Sequence, residues 1–124
     1  MAATRFPIRF TGLNRTMSAV GLSPSRSWVE VDDEAIRVRM GWAFKLDAPL
    51  VNVRDAQPDH GRVWSWGVHG WRGRWLVNGS SSGLVRIDLN PSGRARVGPV
   101  PITVRELRVS VDDPEGLVAA LTRQ

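Results

Sequence analysis

Through most of this 124-residue chain apolar residues recur at every second position, a period that commits it to strands rather than helices. AIRVRM points Ile36, Val38 and Met40 one way and Arg37 and Arg39 the other. LVRIDL does the same with Val85, Ile87 and Leu89 against Arg86 and Asp88, and RFPIRF puts Phe6, Ile8 and Phe10 on one face. Turn residues punctuate these runs. Asp32-Asp33-Glu34 joins SWVEV to AIRVRM as a hairpin. Gly41 breaks the next run, and WAFKL continues with Trp42, Phe44 and Leu46 in phase. Pro49 ends that strand, and LVNVRDA follows with Val51 and Val53 inward. RWLVN is apolar on both faces, as a doubly covered strand is. Asn78-Gly79 with the serines after it, and Asn90-Pro91-Ser92-Gly93, read as turns. RARV, closed by Gly98-Pro99, is a short strand, and residues 11–27 read as a connecting loop.

Two segments depart from simple alternation. In ITVRELRVSV the apolar positions are even at Ile102 and Val104 and odd at Leu107, Val109 and Val111. One extra residue at Arg105-Glu106 reconciles the halves, which is what a β-bulge does. DPEGLVAALTRQ is a helix over 114–122. Asp113 is its N-cap, Pro114 takes the first helical position, and Glu115 lies near the positive end of the dipole. Leu117, Val118 and Leu121 form its apolar stripe. The expected fold is therefore mainly β: a barrel or sandwich of about seven to eight antiparallel strands, with one C-terminal helix capping an open end.

Cysteine is absent, which removes disulfides, thiolate metal sites and cysteine nucleophiles. The N-terminal stretch MAATRFPIRFTGLNRTMSAVG holds no apolar run of signal-peptide length. No segment approaches the roughly 20 apolar residues of a membrane-spanning helix, so the expectation is a cytoplasmic domain. The net charge of +5 is unevenly spread. Residues 1–27 carry Arg5, Arg9, Arg15 and Arg26 without an acid, whereas 28–59 are acidic on balance. Residues 60–110 set eight arginines against Asp88 and Glu106. Such polarity can draw an anionic partner, but arginines falling singly along strands are ordinary solvating cations unless they share a face.

SWVEVDDEAIRVRMGWAF resembles the opening hairpin and third strand of bacterial pleckstrin-homology-like (PH-like) domains, and VSVDDPEGLVAAL resembles their last strand and capping helix. GVHGWRGRWLVNGSSSGLVRIDL adds a closer similarity to a family of actinobacterial proteins without an assigned activity. The resemblance implies a PH-like domain over 28–124, preceded by an N-terminal extension, 1–27, that contributes one added strand. Phosphoinositide-binding members carry basic residues around the loop joining their first two strands. Here that loop is Asp32-Asp33-Glu34, so a phosphoinositide is not the expected ligand.

Nothing in the chain has the spacing of a catalytic or metal site. Ser65 and Ser80 to Ser82 with His60 or His69 and Asp59 lack any nucleophile signature, and two histidines nine residues apart make no metal-binding pattern. The expectation is no catalysis, no metal and no cofactor. What stands out is VWSWGVHGWRGRW, residues 63–75, which holds four of the six tryptophans. A hairpin turning at Gly67 to Gly70 would set Trp64 and Trp66 beside Trp71 and Trp75, and cross-strand aromatic pairs alone would account for them. The functional reading keeps Trp75 inside and exposes a tip of Trp and Arg, the residues that anchor protein interfaces. Its candidate residues are Trp64, Trp66, His69, Trp71, Arg72 and Arg74. The expected partner is another protein or a second copy of the chain. Single-stranded nucleic acid or an anionic ligand on the basic Trp/Arg face is the less favoured alternative, followed by a small ligand inside a barrel.

Overall fold

Val29 and Val31 alternate with Trp28 and Glu30, and Ile36, Val38 and Met40 alternate with Arg37 and Arg39. Each set buries its apolar members completely or nearly so. These segments are β2 (Ser27–Val31) and β3 (Ala35–Met40), paired antiparallel with Val31 opposite Ile36. Asp32 closes their loop. Its Oδ1 accepts the backbone N–H groups of Glu34 and Ala35, both at 2.8 Å, and its Oδ2 accepts from Arg37 at 2.8 Å. The acids that argue against a phosphoinositide therefore include one that builds the turn.

A computed structural model describes residues 3–9, 26–60, 67–78, 80 and 82–122. Besides β2 and β3 they form β1 (Thr4–Pro7), β4 (Phe44–Pro49), β5 (Val53–Asp59), β6 (Gly67–Trp71), β7 (Arg74–Asn78), β8 (Leu84–Val97), β9 (Val100–Ser110) and α1 (Pro114–Thr122). The strands join in one open sheet of order β1-β2-β3-β4-β8-β9-β7-β6, with β5 branching from β8. The fold is mainly β with a C-terminal helix, as the alternation predicts. It departs from the prediction in having nine strands, and in the β7–β9 ladder being parallel. That ladder is parallel because the chain crosses from one strand to the other along β8, which is antiparallel to β9.

Three local expectations are corrected. Trp42 does not continue a strand: Met40 pairs with Phe44, and residues 41–43 turn between them with Ala43 N–H donating to Met40 O (3.0 Å), leaving Trp42 64% exposed. Val51 is exposed because Leu50–Asn52 form a single 3-10 turn that gives the core position to Leu50; Val53 is half-buried. Asn90-Pro91-Ser92-Gly93 does not reverse the chain. β8 runs on through it, pairing with β5 before this segment and with β4 after it. Leu89 and Gly93 are both buried while Asn90, Pro91 and Ser92 between them are exposed, and only Arg105 of β9 stands opposite residues 89–92, so this segment is a bulge within a continuing strand.

The phase flip in β9 coincides with a break in its pairing at Arg105-Glu106, where the sequence places it, but against β8 the extra residues lie on β8, whose residues 89–92 stand opposite Arg105 alone. The β8–β9 ladder breaks between Asp88↔Glu106 and Gly93↔Val104. Arg105 and Glu106 both donate their backbone N–H to Gly73 O, at 2.8 and 3.1 Å, so two residues oppose one. Val104, Leu107 and Val109 are fully buried on either side, and Ile102 is half-buried. The N-terminal strand joins the same core. Phe6 and Ile8 are buried, and Ile8 makes an isolated bridge to Val111. Arg9 fixes this end, donating to Asp112 O (3.0 Å) and Ser82 Oγ (3.2 Å). Phe10 lies outside the described residues.

α1 starts as its sequence dictates, with Asp113 Oδ1 accepting from Gly116 N–H at 3.0 Å. It packs on β5 and β8, with Leu117 and Leu121 in the core and Val118 half-buried. Leu117→Ala is expected to cost about 2–5 kcal/mol in urea unfolding; a cost under about 0.5 kcal/mol, the scale of an ordinary surface change, would mean the helix is not held by its stripe. Asp32 gives a pH signature. The Arg37 hydrogen bond first, then the two backbone amides, lower its carboxyl pKa from 3.8 to about 2. Asp32 then stabilises the native state above the unfolded pKa, and the contribution drains as pH falls through that window. The difference in melting temperature between the parent and Asp32→Asn should shrink over the same window. A difference that stays constant would show that the charge contributes nothing.

Candidate functional site

β6 and β7 form a hairpin closed by Arg72 and Gly73, both with positive φ, 52° and 83°. Two such central residues make a type I′ turn, whose twist matches the flanking strands. The turn is thus at 72–73 and not at Gly67 to Gly70. Gly73 fills a left-handed position without a Cβ penalty, whereas Gly70 is a mid-strand residue with another task. In this register Trp71 faces Arg74 and Gly70 faces Trp75, so Trp71 and Trp75 are not a cross-strand pair. The Trp75 indole instead lies over Gly70, in the space a Cβ there would need.

Trp75 is half-buried and packs on the core, its ring centroid 6.4 Å from that of Phe44. Trp71 is 74% exposed, with the Arg72 guanidinium carbon 5.5 Å from its ring centroid. Arg72 and Arg74 are also exposed. The structure therefore brings Trp71, Arg72 and Arg74 together at the tip. Trp64 and Trp66 lie outside the described residues, and of His69 only the backbone is described, opposite Leu76 in β6. β6 ends the sheet, and among the described residues it is laddered to β7 alone.

Strand register builds the surface beside the hairpin. One row runs Trp71, Arg74, Glu106, Asp88, Asp55 across β6, β7, β9, β8 and β5; the next runs Leu76, Arg108, Arg86, Gln57. Arg86 and Arg108 face each other directly, which is unfavourable for bare charges. Carboxylates offset it: Asp59 is 3.5 Å from Arg108, and Asp55 and Asp88 are 3.5 and 3.7 Å from Arg86. A cavity of about 590 Å³ lies over this balanced floor, with Trp71, Arg74 and Trp75 at its hairpin side.

The serines considered as nucleophiles are occupied by their loop. Ser80 is buried, its Oγ 3.1 Å from Ser82 Oγ, and it accepts the Ser82 backbone N–H at 3.1 Å. Asp59 faces Arg108. Ser65 and Ser81 lie outside the described residues. Among the described residues no three His, Asp or Glu side chains group as metal ligands would, and no helix is long and apolar enough to cross a membrane.

Sequence reasoning missed a second cluster. Lys45 on β4 stands directly opposite Arg96 on β8, with Arg94 two residues before it on the same outer face. The alternation of RARV hinted at one cationic face. Only the β4–β8 pairing, which joins segments about 50 residues apart, brings Lys45 to it. No protein-family model, curated protein or solved structure matches this chain.

The packing of Trp75 on Gly70 gives a test of the hairpin. Gly70→Ala should destabilise by about 1–3 kcal/mol through overpacking, and Trp75→Leu in the same chain should recover part of that stability. Additive effects in the double mutant would show that the indole does not rest on this glycine.

Proposed function

We propose that this chain is a non-catalytic protein-interaction module, that its β6–β7 hairpin is the contact, and that its partner is a second copy of the chain. One observation carries the reading: a 74%-exposed Trp71 stands beside Arg72 at the tip of a tight turn on the end strand of the sheet. An end strand offers unpaired backbone groups to another strand, and exposed Trp and Arg are the side chains that anchor protein contacts. Arg72 supports it further. Type I′ turns favour Asn, Asp or Gly at this position, and a residue with a longer side chain in the left-handed region costs about 1–2 kcal/mol. An arginine that makes its own turn less stable is explained by what it touches outside the turn. The PH-like reading belongs to the same proposal, supported by the β2–β3 hairpin, β4 and the terminal helix.

Arg72→Asn should raise the melting temperature while weakening self-association, and Trp71→Ala should weaken self-association with the fold intact. Light scattering during size-exclusion chromatography, across a concentration series, reads both. A parent protein that is monomeric at every concentration, or a double variant that associates as the parent does, would overturn the proposal.

A further inference from the structure

The outer face of the long β8–β9 ribbon changes character at the bulge. Beyond it, away from the hairpin, the row Arg39, Lys45, Arg96 crosses β3, β4 and β8 with each cation directly opposite the next. Only Arg39 is compensated. It donates to Asp47 Oδ1 (2.8 Å), Val38 O (2.9 Å) and Leu46 O (3.1 Å). Asp47 is the register partner of Arg94, but Arg39 holds its carboxylate. Lys45, Arg94 and Arg96 are exposed, and no carboxylate among the described residues lies within ion-pair distance of them. Like charges set opposite one another weaken a sheet, and the one acid within this group, Asp47, lines the same groove and is already paired with Arg39.

We propose that this face binds single-stranded nucleic acid, with Lys45, Arg94 and Arg96 on its phosphates. The cations line an open groove of about 900 Å³ over β4, β8 and β9. They are spaced ~7 Å along β8 and ~4.8 Å across to β4, a layout that suits a chain of phosphates better than one small anion. The groove also offers Pro101 and half-buried Ile102 to the bases, beside Thr103 and the carboxylate of Asp47. At its end the β3–β4 turn is tied to the β8–β9 turn by Gly98 N–H donating to Ala43 O at 2.9 Å. The first of these turns carries Trp42, 64% exposed and three residues before Lys45, and the second leads into β9 at Val100, 55% exposed; neither residue lines the groove itself. A cationic track with an exposed indole is the combination that holds unpaired bases without reading sequence. In the hairpin half of the face Arg86 and Arg108 are matched by acids, and the exposed Arg72 and Arg74 sit at the turn beside Trp71 rather than along a track.

The test is fluorescence anisotropy of a labelled oligothymidylate of about 16 nucleotides with the purified full chain, over a salt series. Lys45→Gln/Arg94→Gln/Arg96→Gln should weaken binding at least about tenfold and flatten the dependence of log K on log salt by about 0.7 for each phosphate no longer neutralised. Trp42→Ala should weaken binding while leaving the salt slope unchanged. The triple variant should melt no lower than the parent, because it removes like-charge neighbours; each single variant is read as well, so one that unfolds does not decide the matter. Trp71→Ala should change oligomeric state and leave oligonucleotide affinity unchanged, which separates this proposal from the preceding one. No binding by the parent, equal binding by the triple variant, or equal or tighter binding of duplex DNA, polyglutamate or phosphatidylserine vesicles would overturn it.

Discussion

The carbonyl of Gly73 accepts two consecutive amides, from Arg105 and Glu106, and the rest of the sheet is arranged around that point. Without a bulge, β9 could not bury Val104 and Leu107 on the same side, because residues three apart lie on opposite faces of a regular strand. With it, one strand serves both halves of the core. The same carbonyl belongs to the β6–β7 turn, so the bulge also sets where the hairpin sits. On the other side of β9, β8 carries the extra residues of the break, 89–92 against Arg105 alone, and its two ends pair with different strands, β5 and β4.

That break separates two outer surfaces built on the same pair of strands. Near the hairpin, Arg86 and Arg108 stand among Asp55, Asp59 and Asp88, and the turn adds one protruding indole with Arg72 and Arg74 beside it. Beyond the bulge, Lys45, Arg94 and Arg96 gather around a single carboxylate that Arg39 already occupies. The first surface suits an interface whose strength comes from buried aromatic area and main-chain pairing, the second a polyanion whose hold depends on salt.

What the sequence discloses follows from how local each feature's cause is. The β2–β3 hairpin and the terminal helix are readable because their determinants lie within a few residues: strict alternation around Asp32, and Asp113, Pro114 and the Leu117–Leu121 stripe. The bulge is readable for the same reason, as a phase change inside one segment. Trp42 and Val51 mislead because a short turn can displace one residue from an otherwise perfect period. The position of the Trp-rich turn misleads for a different reason. Gly67, Gly70 and Gly73 are equivalent as letters, and only the register reveals that Gly73 supplies a left-handed turn residue while Gly70 makes room for Trp75. Asn90-Pro91-Ser92-Gly93 has the letters of a turn, but the residues bounding it, Leu89 and Gly93, are claimed by one core.

The arginines show most clearly what pairing adds to composition. As letters they are alike, falling singly between apolar neighbours, and nothing local distinguishes Arg86 from Arg96. Their chemistry is set across the strands: Arg86 meets Arg108 with three carboxylates within 3.7 Å of the pair, whereas Arg96 meets Lys45 with none among the described residues. A guanidinium held by a neighbouring carboxylate is engaged by the fold and offers little to a ligand. One held against another cation raises the energy of the empty sheet, and a bound phosphate lowers it. Identical residues at the same period therefore act as structure at one end of a strand and as a candidate site at the other, and the strand pairing decides which.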